Sequence, residues 1–310
     1  MQTILGSSGI IGKEVARELH RNYTKDIRLV ARNPKAVNPT DSLFTANLTN
    51  EKQTFDAIKG SEVAYLTVGI QYSAKAWLQQ WPKIMKNVVR ACMAHGTRLV
   101  FFDNVYAYGK VDGIMTEDTP YNPCSKKGEV RLGVIHMMMD EVQKGILKAL
   151  IARAPDFYGP DTPLSFVSAM VFQNFAKGKK AQWMGDVNKK HSFIYTPDAG
   201  KATALLGNTE SAFNQVWHLP TDPNTLTGKE LIELSAKEFG VKPDYMVLKR
   251  WMVQMAGLFN PLVRESVEML YQNEVDYVFD SSKFAKAFGL EPVSYQKGIT
   301  ETVNYYKQLS

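Results

Sequence analysis

Three glycines carry the most chemical meaning in this 310-residue chain: Gly6, Gly9 and Gly12, in the opening stretch MQTILGSSGIIG. They follow the short apolar run Thr3-Ile4-Leu5 and precede a helical pattern, with apolar Val15 and Leu19 among Lys13, Glu14, Arg17 and Glu18. A strand, a tight turn and a helix start in that order let the backbone come close to a diphosphate. Its oxygens would meet the unpaired N–H groups of the helix's first turn. Side chains at the glycines would block that approach. Ser8, Ile10 and Ile11 lie in the same turn and join the glycines as candidate cofactor-binding residues.

A dinucleotide held there needs further contacts along the chain. The second apolar run, Asp26 to Ala31, ends in Arg32-Asn33-Pro34, with Arg32 lying 20 residues after Gly12. At that place an acidic residue reads a ribose 2′-hydroxyl, whereas an arginine accommodates a 2′-phosphate. No acidic residue stands beside Arg32, so the sequence predicts NADP, with NAD as the alternative. Arg32 and Asn33 are the candidate contacts. Asn47 and Leu48 follow the third run, Ser42 to Ala46, where such folds place an adenine contact. Thr67 lies at the end of the fourth run, Val63 to Val68, which should face the nicotinamide half.

Positioning these groups takes a parallel sheet. Leu99 to Phe102 is a fifth strand, continuously apolar as a strand buried on both faces should be. Between the strands, Glu51 to Ile58 reads as a helix behind the capping types Thr49 and Asn50. Ala74 to His95 is helical by its apolar spacing (Trp77, Trp81, Ile84, Val88, Cys92), with Pro82 read as an interruption that begins a new segment. Strands alternating with helices predict an α/β fold, a Rossmann-type doubly wound parallel sheet, with ligands outside the carboxyl ends of its strands. The segment Asp103 to Gly109, after the fifth strand, falls there.

Beyond Gly159-Pro160 the pattern changes. A helix is expected over Ser165 to Lys177, a strand at Val216 to Leu219, and a helix Gly228 to Phe239 capped by Thr227. A short extended run is expected at Tyr245 to Leu248. Met246 to Tyr271 is rich in Met, Leu, Val and Phe, and reads as an apolar roof over a substrate cleft or else as core or a dimer face. The expected division is a dinucleotide-binding domain over 1–160, with returning segments near 191–222, and a smaller, mainly helical substrate lobe over 161–190 and 223–310.

Composition excludes several classes. The net charge of +6 favours an anionic ligand, but the basic residues are scattered and no nucleic-acid motif accompanies them. Cys92 and Cys124 have no metal-ligand spacing, His191 and His218 stand alone, and no metal site is expected. No apolar run approaches the ~18–20 residues that span a bilayer. The expectations are a cytoplasmic protein with a small-molecule substrate, no nucleic-acid or membrane partner, and a possible homodimer.

Five stretches in order resemble an extended short-chain dehydrogenase/reductase, the NAD(P)-dependent epimerase/dehydratase family. GSSGIIG opens the chain. VFFDNVYAYG resembles the family's "SSxxVYG", ARAPDFYGP its "RxxNxYGP", and FIYTPDAGKATALL its "FxHVDDVAxAxxxA". DSSKFAKAFGLEPVSYQKGITETVNYY resembles its closing segment. The resemblance implies hydride transfer at a nicotinamide, a serine or threonine paired with a tyrosine as acid/base, and a lysine four residues after the tyrosine. That lysine would hold the nicotinamide ribose and lower the tyrosine pKa by its charge.

In this chain the pattern breaks. Aligning Gly109 with the family's glycine puts Asn104 at the serine position, and the helix that should carry Tyr-x-x-x-Lys reads Pro123 to Arg131, with Lys127 in place of the tyrosine and Arg131 of the lysine. Arg131 can still offer charge and donors to a ribose, so cofactor binding is expected to survive. Proton transfer needs a replacement. Tyr106, Tyr108 and Lys127 are the candidates, with Tyr106 slightly preferred and Tyr108 at a position that usually lines the substrate pocket. Asp156 sits where the family often has an asparagine that contacts substrate or nicotinamide. The leading reading is an NADP(H)-dependent oxidoreductase that reduces a small carbonyl or enone. The alternatives are a nucleotide-sugar epimerase or dehydratase, and a non-catalytic NADP(H)-binding redox sensor or scaffold.

Overall fold

A computed structural model describes residues 1–309 of the chain. In chain order the strands are β1 (Gln2–Leu5), β2 (Ile27–Ala31), β3 (Ser42–Thr45), β4 (Val63–Leu66), β5 (Arg98–Asn104), β6 (Ile114–Met115) and β7 (Ala149–Ala154). They continue with β8 (Asp156–Tyr158), β9 (Ala181–Met184), β10 (Phe193–Tyr195), β11 (Val216–His218), β12 (Tyr245–Leu248) and β13 (Val278–Phe279). The helices are α1 (Ile10–Asn22), α2 (Glu51–Ile58), α3 (Ala74–His95), α4 (Lys126–Gln143), α5 (Gln173–Ala176) and α6 (Thr196–Gly207). Those that follow are α7 (Gly228–Phe239), α8 (Arg250–Phe259), α9 (Pro261–Ser266), α10 (Ser282–Phe288) and α11 (Tyr295–Gln308).

The described residues divide into two compact units: residues 1–107, 126–154 and 199–219, and residues 108–125, 155–198 and 220–309. Residues 108–125, which the sequence reading leaves in the first domain, therefore belong to the second unit, as do 155–160.

The first unit is a seven-stranded sheet in the order β11-β7-β5-β4-β1-β2-β3, parallel at every pairing. The apolar runs explain it: β1, β4 and β7 are buried at every residue, as central strands covered on both faces must be. The chain goes from β1 outward to β2 and β3, then crosses back to β4 on the other side of β1. That reversal between β1 and β4 is the switch point of a doubly wound sheet, where the strand ends open a crevice for a ligand. The glycine turn follows β1, and Thr67 follows β4. The expected Rossmann-type architecture is the observed one.

Two helical expectations change. α3 runs unbroken from Ala74 to His95 with Pro82 inside it. One lost N–H bond is outweighed by its buried face, which includes Trp77, Trp81, Ile84, Met85 and Val88. The expected helix over 165–177 is a π-helical turn, Ser168–Phe172, that runs into the short α5. Strand β5 also extends beyond Phe102, so Asp103 and Asn104 are strand residues in register with Arg153 and Ala154 of β7.

The second unit is mainly helical, with three two-stranded parallel pairs, β8 with β10, β9 with β12 and β6 with β13. Its core gathers Tyr158, Phe172, Trp183 and Phe193 with Leu231 and Ile232 of α7 and Ile299 and Val303 of α11. Helix α7 starts at the expected residue because Thr227 and Glu230 form a reciprocal capping box.

Candidate active site

The glycine turn is built in the first unit, and its three glycines do three different jobs. Gly6 has φ +97°, and a Cβ there would lie 2.6 Å from the Val68 Cα. A Cβ on Gly12 would meet Gly6 O at 2.8 Å and Ser7 Cα at 2.9 Å. Both are glycines because the fold itself needs them. Gly9 is different: a Cβ there would make only ordinary contact, 3.4 Å from Gly6 O. Protein packing gives no reason for glycine at that position, and close approach by a ligand does.

Gly9 also ends the turn as the residue before α1, and no side chain caps that helix. The amides of Ile10, Ile11 and Gly12 therefore have no acceptor in the helix, and none elsewhere among the described residues. Ser7, which the sequence reading passes over in favour of Ser8, is buried with its Oγ lacking any partner among the described residues. Unsatisfied donors around an open glycine fit the pyrophosphate of a dinucleotide. Ser8 donates to the Asn33 carbonyl at 3.4 Å, which ties the turn to the end of β2. Arg32 is exposed there. Asn47 accepts from Thr49, while Leu48 is buried and its carbonyl accepts from Asn87. Thr67 is buried, with its hydroxyl on the Leu5 carbonyl at 3.2 Å.

A second cluster in the first unit holds three of the proposed chemical residues. Asn104, the last residue of β5, accepts from the Tyr106 amide at 3.0 Å, and its Nδ2 donates to none of the described residues. Tyr106 stacks on Trp77 with ring centres 5.9 Å apart, and its hydroxyl lies 3.5 Å from that of Tyr72. Lys127 is fully buried on the first turn of α4, with Nζ 4.5 Å from the centre of the Tyr72 ring. Tyr72 was not among the expected residues. The available signal was its place a few residues beyond β4, at the switch point.

Arg131, one turn after Lys127, is buried and turned inward. Its Nε lies 3.0 Å from Asp103 Oδ1, Nη2 lies 3.5 Å from the Phe102 carbonyl, and its plane lies over Trp81 at 4.2 Å. Among the described residues Nη1 has no partner. Asp103 is shared with Arg153, whose Nε and Nη2 donate to Oδ2 at 3.1 and 3.0 Å. Burial pushes the Arg131 guanidinium below its ordinary value, and the Asp103 carboxylate opposes that. The expected ribose contact is corrected to this extent: the Nε edge and the face of Arg131 are engaged inside the unit. Arg153 was missed, although an arginine inside the apolar run ALIARA signals a buried countercharge.

The remaining two candidates belong to the second unit. Tyr108 is buried and stacks on Tyr121 with ring centres 5.6 Å apart. Asp156 opens β8 and accepts from His191 Nε2 at 3.0 Å. His191, expected to be isolated, is thus paired with a carboxylate, is stacked on Phe193 at 4.6 Å, and keeps a buried Nδ1 with no partner among the described residues. Among the described residues no group of His, Cys, Asp and Glu could hold a metal ion, and no helix is long and apolar enough to cross a membrane.

Comparison with known proteins agrees with this geometry. A curated relative, the uncharacterized protein y4nL of Sinorhizobium fredii, is 24% identical over 212 residues, or 63% of this chain. The match takes in 57% of that protein, so the chain spans little more than half the length of this relative. Among solved structures, a double mutant of the dTDP-glucose 4,6-dehydratase DesIV from Streptomyces venezuelae, with NAD bound, superposes with a TM-score of 0.82 at 17% identity, covering 99% of this chain and 97% of that one. The UDP-glucuronic acid 4-epimerase of Bacillus cereus, in complex with UDP-glucuronic acid and NAD, gives 0.82 at 18% identity, with 100% of both chains covered. The UDP-glucose 4-epimerase of Thermus thermophilus, in complex with NAD, gives 0.80 at 18%, again over 100% of both. At these identities the likeness is one of fold. The family description "NAD dependent epimerase/dehydratase family" matches residues 3–217, from β1 through the second residue of the last strand of the sheet. With the glycine turn, the switch point and that match in one frame, the chain belongs to the NAD dependent epimerase/dehydratase family.

Proposed function

We propose that this chain binds a nicotinamide dinucleotide at the Gly6–Gly12 turn and acts on a nucleotide sugar by epimerisation or dehydration that starts from oxidation of a hydroxyl carbon. The observation that carries the reading is Gly9, open on the ligand side amid amides with no acceptor, in a chain of this family. Relatives of the same fold solved with nucleotide sugars support this substrate class over the small carbonyl or enone expected from the sequence. When bound, the nicotinamide supplies the acceptor and donor of hydride.

The chain's own residues handle the proton. The Tyr106 hydroxyl exchanges it with the substrate oxygen, and the Tyr72 hydroxyl, 3.5 Å away, is the next position in the relay. The Lys127 ammonium against the Tyr72 ring stabilises negative charge that develops on that hydroxyl pair. The Asn104 Nδ2 donates to the substrate oxygen. The exposed Arg32, with no acidic neighbour, supports NADP as the dinucleotide, although the neighbours named above carry NAD. Replacement of the family tyrosine by Lys127 supports a second reading, binding without turnover.

Incubation with oxidised dinucleotide and a panel of UDP- and dTDP-hexoses, resolved by chromatography, tests the proposal. An epimerised or dehydrated product with no net change in dinucleotide supports it. Net oxidation of reduced dinucleotide by simple carbonyls instead would restore the reductase reading, and tight binding with no product would favour the sensor.

A further inference from the structure

The buried charges of the first unit do not balance at one end of its sheet. Asp103 is the next-to-last residue of β5, and Arg153, next to last in β7, stands opposite it with Nε and Nη2 on one carboxylate oxygen. Arg131 of α4 takes the other oxygen. The two guanidiniums are 4% exposed or less and keep their charge at any working pH. The unit's other buried carboxylate, Glu18, lies on α1 and accepts from Asn22. The elements around the cluster supply no buried counter-charge. Strand β4 and residues 67–73 after it carry no charged residue, and α3, whose Trp77 and Trp81 lie against Arg131, carries Lys75, Lys83, Lys86 and Arg90 but no acid. Glu129 of α4 is exposed. Lys127, one turn before Arg131, is a further buried cation, and the surplus is present without it.

One carboxylate between two guanidiniums leaves a positive surplus at the carboxyl ends of β5 and β7, within protein that salt screens little. Strands β7, β5 and β4 are neighbours in a parallel sheet, so the surplus lies on the side where the crevice opens between β4 and β1. A nicotinamide ring is cationic when oxidised and neutral when reduced, while the phosphates and the adenosine are the same in both forms. The surplus therefore opposes the oxidised form alone. On the proposed reading that the glycine turn holds a nicotinamide dinucleotide, we infer that Arg131 and Arg153, sharing Asp103, make this chain select the reduced form over the oxidised one. A tenfold preference raises the potential of the bound two-electron couple by about 30 mV, which favours oxidation of a substrate hydroxyl. Arg153 is thereby a specificity residue that acts by its charge.

The full chain is titrated calorimetrically with NADP⁺ and NADPH, with NAD⁺ and NADH, and with 2′-phospho-ADP-ribose as a control that lacks the nicotinamide, each at low and at high salt. The expected result is a reduced form bound about tenfold more tightly than its oxidised partner. High salt should leave that ratio unchanged, because the cluster is buried and the two forms share the same phosphates. Arg153→Met, which leaves Asp103 its pair with Arg131, should remove most of the preference, whereas Arg153→Lys should keep it. Neither change should alter affinity for the control. Equal affinities for the two forms overturn the inference, as does a preference that high salt erases or that a folded Arg153→Met variant retains. If Arg153→Met does not fold, the wild-type ratio and its salt dependence decide. No association with any of these ligands is a different outcome, which overturns the dinucleotide reading and the inference with it.

Discussion

Asp103 and Arg153 face each other in direct register across β5 and β7, with both Arg153 Nε and Nη2 on the same carboxylate oxygen. The other oxygen faces Arg131, so one buried carboxylate is shared by two buried guanidiniums, of which that of Arg131 lies against Trp77, Trp81 and Phe101. The strand end that should present chemistry is therefore fixed by a charge cluster, and Asn104 and Tyr106 extend from it.

Asp103→Asn is expected to cost about 3–5 kcal/mol in urea unfolding, because it removes the carboxylate that two buried cations share. A loss below about 1 kcal/mol would mean that the cluster is hydrated or rearranged.

The glycines should separate folding from binding. Gly12→Ala forces a Cβ to 2.8 Å from a backbone oxygen and should destabilise the protein by about 1–3 kcal/mol. Gly9→Ala should leave the thermal midpoint nearly unchanged while weakening dinucleotide binding about tenfold or more. Equal effects of the two changes on stability would remove the argument for an open ligand face.

Lys127→Met keeps the buried volume and removes the charge against Tyr72. The expected result is a fall in turnover of about 10²-fold or more, with dinucleotide affinity retained. Loss of affinity in step with turnover would make Lys127 a structural residue.

The two thiols should behave differently. Cys124 is exposed, whereas Cys92 is buried in α3 and burial pushes its thiol pKa up. Cys124 should react with a disulfide reagent in native protein and Cys92 only on unfolding. A raised folded pKa means that this contribution to stability is complete below the ordinary thiol range and is lost as pH rises through and above it. Urea midpoints in the Cys92→Ala variant should accordingly fall less between neutral and alkaline pH than those of the wild type.

What was legible in the sequence was local. The apolar runs gave the strands of the sheet except β7, whose run ALIARA is broken by Arg153, and residues able to cap, Asn50 and Thr227, placed the starts of α2 and α7. The glycine spacing gave the ligand turn. What was hidden depended on partners far along the chain: Arg153 on Asp103, His191 on Asp156, Tyr72 on Tyr106, and β12 on β9. Pro82 misled because propensity is local, while the buried face of α3 is a tertiary effect.

Calorimetric titration of the purified chain with NADPH and NADH tests the central claim most directly. Saturable one-site binding is expected, with NADPH about tenfold tighter and that preference erased by Arg32→Ala. No heat and no saturation with either dinucleotide, in either oxidation state, would contradict the site at the glycine turn and the function built on it.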